Sequence, residues 1–168
     1  RKKVADAKKA EEKRIADIKK TKRTIDIELQ KLKDKLEKLQ DLELDSLRVQ
    51  ADQLISEIEN NPTSDLLTLV DYRDSLYSLN SSVRSSIKTE EKRIADIKKA
   101  ERAIVFELQT LKDNLEKLQD LELDSLKVKA DALISEVENN TSSDLFILIS
   151  LSNRLWDLNT TIRPAIKT

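Results

Sequence analysis

The chain of 168 residues contains no glycine, cysteine, histidine or methionine, two prolines and five aromatic side chains. Globular domains average roughly 7% glycine, so about a dozen would be expected in this length. Without them almost no position can need positive φ, which argues against tight turns, strands and phosphate-cradling loops. Without histidine there is no imidazole base and no histidine metal ligand. Without cysteine there are no disulfides, no thiolate nucleophile and few routes to a zinc site. No apolar run approaches the roughly 20 residues of a membrane span; the longest is Leu145-Phe146-Ile147-Leu148-Ile149.

The carboxylates do not fill the chemical gap. Glu57/Glu59 and Asp120/Glu122/Asp124 are two residues apart, so on a helix they point to different sides. A di-metal centre in a helical bundle needs a Glu-x-x-His pattern, which is impossible here. The expectation is therefore no catalytic, cofactor-binding or metal-binding residue, no cofactor, and no enzymatic activity. Formal charge is −1, so a general nucleic-acid or membrane-surface footprint is not indicated. The basic start, from Arg1 to Lys20, lacks interleaved aromatics and reads as a salt-paired helix flank. The first residue is Arg1 rather than Met, which suggests a fragment or a processed product.

What is present is repetition. Residues 11–89 align without a gap on residues 90–168 with 51 identities. A fixed period of this length marks a tandem helical array whose units complete one another's core. Residues 1–10 form a hendecad-like helical extension, in which residues 2–9 echo residues 13–20 at a spacing of eleven. The apolar pattern predicts three helices, at about 2–59, 65–138 and 144–163. Their seam is a heptad stripe: Leu29, Leu32, Leu36, Leu39, Leu47 and Leu54 in the first helix, then Val83, Ile87, Ile94, Ile97, Ile104, Leu108, Leu111, Leu115 and Leu118 in the second. An eleven-residue step, Leu36-Leu39-Glu43-Leu47, interrupts the heptads and reads as a local relaxation of supercoil within a continuous helix.

Asn60-Asn61-Pro62 ends the first helix and Thr63-Ser64-Asp65 caps the next. The heptad frame crosses residues 85–95 without a slip, so the middle helix is expected to run through the repeat junction; the alternative is a break at Ser85-Ser86. Pro164 is expected to end the last helix. The fold class is thus all-α: an elongated antiparallel coiled coil or helical bundle made of two 79-residue helical-hairpin repeats. Two helices side by side bury only a narrow stripe, so a further helix is expected from self-association.

The two copies differ unevenly. Residues 11–65 share 42 of 55 positions with residues 90–144, whereas the last 24 share only nine. There Leu67 becomes Phe146, Thr68 becomes Ile147, Tyr72 becomes Leu151 and Tyr77 becomes Trp156. Val105 and Phe106 replace Asp26 and Ile27 on the long helix. Two readings stand: a docking face made of Phe146, Ile149, Leu151, Trp156 and Ile162, or a wide apolar face buried within the protein's own bundle.

Helices running through repeat junctions resemble spectrin-type rods. A long helix with a shorter one folded back, carrying Leu133-Ile134-Ser135-Glu136-Val137-Glu138, resembles the coiled-coil region of tripartite-motif proteins. Both resemblances are architectural and imply no activity. The expected role is a non-catalytic rod, a spacer or scaffold acting through coiled-coil self-association. Its expected partner is itself, as an antiparallel homodimer, or another helical protein, with no nucleic acid. The alternatives are a protein-binding module using residues 145–162 and, below it, an amphipathic lipid binder. Four Asn-x-Ser/Thr acceptors, beginning at Asn80, Asn139, Asn140 and Asn159, lean slightly toward an extracellular or cell-surface setting.

Overall fold

The computed structural model describes residues 1–167; Thr168, the last residue of the second repeat, lies outside them. It contains five helices: α1 Lys2–Asp41, α2 Asp45–Asn60, α3 Leu66–Leu118, α4 Asp124–Glu138 and α5 Leu145–Lys167. No strand occurs among the described residues. The chain forms two compact units, Arg1–Glu91 and Lys92–Thr168. Helix α3 contributes to both, with no break at Ser85-Ser86.

Five helices replace the three expected, because each long helix breaks at the eleven-residue step. At residues 42–44 the reversal is made by Glu43, a non-glycine residue at φ 56. The Leu44 N–H donates to Leu39 O and the Glu43 N–H to Gln40 O. These two bonds are the Schellman pattern, and Leu44 packs half-buried against the core that contains Leu39, the two positions whose apolar side chains customarily accompany it. A left-handed glutamate costs roughly 1–2 kcal/mol, which the two bonds and the leucine pair offset. The second copy closes differently: α3 stops at Leu118 and the Leu121 N–H donates to Leu118 O. No residue there has positive φ.

The links between α2 and α3 and between α4 and α5 follow the sequence reading. Asp65 Oδ2 accepts from the Thr68 N–H at 3.1 Å and from the Thr68 hydroxyl at 2.7 Å, while Thr63 Oγ1 accepts from the Asp65 N–H. Asp144 Oδ1 caps Ile147 N–H in the second copy, with Ser142 Oγ accepting from the Asp144 N–H. The hydroxyl and N–H of Thr68 hold the Asp65 carboxyl below its ordinary value. Pro164 does not end α5, which continues to Lys167. Proline's fixed φ is helical, and this close to the helix end it forfeits one N–H bond, to the carbonyl of Thr160.

Each unit has its own core, drawn from three helical segments. In the first, Ile18, Ile25, Leu29, Leu32 and Leu39 of α1 meet Ala51 and Ile55 of α2 and Leu69, Leu76 and Val83 of α3. In the second, Ala100, Ile104, Leu111 and Leu118 of α3 meet Ala130, Leu133 and Val137 of α4 and Leu148, Leu151, Leu155 and Ile162 of α5. The third helix that the sequence reading sought in another molecule is supplied by the same chain. Of the seam residues, Leu36, Leu47, Leu54, Ile87, Ile97, Leu108 and Leu115 pack half-buried against these cores. Ile94 is half-buried and belongs to neither core.

Within the first unit, Asn80 Nδ2 reaches Glu28 O and Lys38 pairs with Glu91, so contacts advance together along α1 and α3. These two helices run in the same direction, and α2 returns between them. Lys33 pairs with Glu59 across α1 and α2, and the equivalent Lys112 pairs with Glu138 at 2.6 Å across α3 and α4.

Candidate functional site

The five residues singled out as a docking face separate into two groups. Phe146 is 85% exposed, Trp156 56% and Ile149 43%, so all three are surface residues. Leu151 and Ile162 are 4% and 0% exposed and belong to the core of the second unit, so neither lies on a surface. Helical spacing explains the division. Leu148, Leu151, Leu155 and Ile162 form one stripe facing α3 and α4, while Ile149 and Trp156, seven apart, lie on the neighbouring flank. The wide apolar face of α5 is therefore partly core and partly surface.

That flank borders a groove between α3 and α5. Asp96, Lys99, Ala100 and Ala103 line one side, and Leu145, Ile149, Ser152 and Asn153 the other. Trp156 sits one turn beyond Ser152 on the same flank. Phe106, 69% exposed, sits three residues beyond Ala103. The first unit has a groove at equivalent positions between α1 and α3, lined by Asp17, Lys20, Thr21, Thr24, Leu66, Val70, Arg73, Asp74 and Tyr77. Every lining position of the second groove corresponds to one of these at a shift of 79 residues.

The chemistry of the two grooves is different. Thr21 and Thr24 floor the first, each hydroxyl donating to a carbonyl of its own helix, Asp17 O and Lys20 O. Ala100 and Ala103 replace them, Arg73 and Asp74 become Ser152 and Asn153, and Tyr77 becomes Trp156. One groove is polar and charged. The other is mainly apolar, with Asp96 and Lys99 as its charged lining residues.

Both units also keep a buried polar link between their first and third helices. Asn80, 2% exposed, donates from Nδ2 to Glu28 O at 3.0 Å and to Glu28 Oε2 at 2.9 Å. Asn159, 1% exposed, donates to Glu107 O and Glu107 Oε2, both at 2.9 Å. Each amide thus ties the third helix of its unit to a backbone carbonyl and a carboxylate of the first. Sequence reasoning missed this pair. Its signal was that Asn80 is one of nine positions retained in the rewritten stretch, and the only Asn among them.

The surroundings of the link differ. In the second unit Asn114 Nδ2 donates to Asn159 Oδ1 at 3.0 Å, completing the amide. In the first, Lys35 occupies the Asn114 position and Asn80 Oδ1 is buried without a hydrogen-bond partner. Lys31 Nζ donates to Glu28 Oε1 at 2.8 Å. That bond, and after it the Asn80 amide and the Arg84 charge, holds the Glu28 carboxyl below its ordinary value against the opposing effect of burial. Burial first, then the charges of Arg84 and Lys31, push the Lys35 ammonium below its usual value.

A second difference is an ion pair. Arg154 and Glu136 make a two-pronged pair across α5 and α4, both bonds at 2.6 Å. Each holds the other charged, the hydrogen bonds lowering the carboxyl value and raising that of the guanidinium. The first unit has Ser75 and Glu57 at these positions.

Among the described residues, no three His, Cys, Asp or Glu side chains group so as to hold a metal ion, and no helix is long and apolar enough to cross a membrane. No family model matches the chain, and neither a curated protein nor a solved structure matches it significantly.

Proposed function

We propose that the chain is a non-catalytic scaffold: tandem antiparallel helical bundles, one per repeat, that hold a protein-docking groove in a fixed setting. The two grooves at equivalent positions carry this reading. The cores and the Asn–Glu link are retained, while the groove between the parallel helices changes from polar to mainly apolar. A framework kept constant under a varied surface is the pattern of a repeat protein that uses its surface for recognition. Phe106, Phe146 and Trp156 supply the large apolar anchors that interfaces favour.

The amide link supports a scaffold in a second way. A buried polar pair inside an apolar seam favours one alignment, since any slip leaves its donors and acceptors unpaired. Asn80 and Asn159 thereby fix how far the third helix of each unit is advanced along the first. That alignment sets which residues line the groove.

Trp156 is the one tryptophan, so its fluorescence reports the second groove. In dilute protein, free access of acrylamide to the indole together with an unchanged melting temperature in Trp156→Ala supports a surface groove. An indole shielded at the lowest concentration, with clear destabilisation in Trp156→Ala, would mean that the residue belongs to the core and the docking reading fails.

A further inference from the structure

Resting on that reading, the geometry points to a second copy of this chain as the occupant of the groove, paired face to face through α3 and α5 of the second unit. The first argument is area. Phe146, Phe106 and Trp156 are 85%, 69% and 56% exposed. At roughly 150–250 Å² for each aromatic side chain, they leave on the order of 400 Å² of aromatic surface open. A stable interface takes about 800 Å² from each partner. The three aromatics reach about half of that area before Ile149 and the groove floor are counted.

The second argument is the arrangement along the groove. Phe146 stands at the end marked by Asp96 and Lys99, and Trp156 and Phe106 stand near the other end, about ten residues further along the helices. A twofold axis through the groove's middle brings residue i of one copy against residue j of the other, and j against i. Phe146 of each copy then meets the Trp156/Phe106 end of its partner. The floor between them, Ala100 and Ala103, carries no side chain long enough to hold two helical surfaces apart. The groove's charges are one of each sign, so pairing the same face twice sets up no net repulsion. The polar groove of the first unit, with Arg73 and Asp74, has no such symmetry of aromatic ends.

Light scattering behind a sizing column tests this on the full chain, over at least a tenfold concentration range. The expected result is a mass rising from 19.3 kDa toward twice that value. Phe146→Glu, at a side chain too exposed to affect folding, is expected to weaken association at least tenfold with helicity unchanged. Leu67→Glu, at the equivalent exposed position of the first unit, leaves the mass curve as it was. A chain that stays monomeric while acrylamide still reaches Trp156 overturns self-pairing and leaves the docking groove standing. A dimer indifferent to Phe146→Glu overturns the assigned face. A monomer with a shielded Trp156 overturns both the pairing and the groove.

Discussion

The two units solve one packing problem with different chemistry. Each places an asparagine from its third helix almost fully out of water, against a glutamate of its first. The second unit closes the arrangement with a neutral partner, Asn114 on Asn159 Oδ1. The first surrounds it with charge: Lys31 on the carboxylate, and Lys35 held below its usual value by burial and by the Arg84 charge, while Asn80 Oδ1 has no partner. At the grooves the preference is reversed, because the first is polar and the second mainly apolar. Unit two is thus the one with the better satisfied interior and the stickier surface. A buried, half-satisfied amide loses stability, whereas an exposed apolar groove does not, since its unfavourable surface is already present in the unfolded chain.

The cores should erase the comparison. Leu32 and Leu111 are equivalent, both fully buried, and both surrounded by the same kinds of side chain. Leu32→Ala and Leu111→Ala should each cost about 2–5 kcal/mol, read by chemical denaturation with circular dichroism. A large difference between them would show that the units are not packed alike at their centres. Such a result would remove the ground for treating them as two versions of one framework.

The link should reveal the comparison. Asn80→Ala and Asn159→Ala each delete hydrogen bonds to a carboxylate and a carbonyl, at about 1–3 kcal/mol. Asn159→Ala also strands the Asn114 amide, whereas Asn80→Ala removes an acceptor that was already unpaired. Asn159→Ala is therefore expected to be the more damaging, by about 1 kcal/mol. Equal losses would mean that Asn80 Oδ1 is satisfied in solution, and the contrast between a closed and an open link would disappear.

Part of this organisation was legible in the sequence. The caps at Asp65 and Asp144 announce themselves by residue type, because only a short polar side chain can reach a free N–H at a helix start. Uninterrupted helix through residues 85–95 follows from heptads that never slip. The breaks at residues 42–44 and 119–123 were visible only as an eleven-residue step. No glycine or proline marks them, since Glu43 adopts the left-handed conformation itself and is held there by tertiary packing of Leu39 and Leu44. Missing those breaks also hid the third helix of each unit, and left open whether Leu151 and Ile162 belong to a surface or to the core. The Asn–Glu link was out of reach for a related reason: its partners are 52 residues apart and meet only when α1 and α3 lie parallel.

A smaller experiment transplants one unit's solution into the other. Lys35→Asn places in the first unit the residue that completes the amide in the second. It offers a donor to Asn80 Oδ1 and removes an ammonium that burial disfavours. A gain of about 1 kcal/mol is expected, with Asn114→Lys losing a similar amount in the second unit. A neutral Lys35→Asn, measured by thermal melting, would show that an amide at this position is not what the first unit lacks.

The gentlest probe is pH, and it isolates the charged half of the comparison. The Glu28 carboxyl is held below its ordinary value of 4.5 by the Lys31 hydrogen bond first, then by Asn80 and Arg84. A carboxyl whose value is lower in the folded than in the unfolded chain stabilises the fold above the unfolded value. That contribution disappears as pH falls through the folded one. Melting of the wild type should therefore decline below 4.5, and part of the decline should be absent in Glu28→Gln, which keeps an acceptor for Asn80 but cannot be protonated. The difference between the two curves is expected to be small, because Lys31 is half-exposed and water screens its charge. If the curves run parallel through the acid range, the Lys31–Glu28 pair contributes no stability of its own. The first unit would then be held in register by the amide bond to the Glu28 carbonyl, with the surrounding charge incidental.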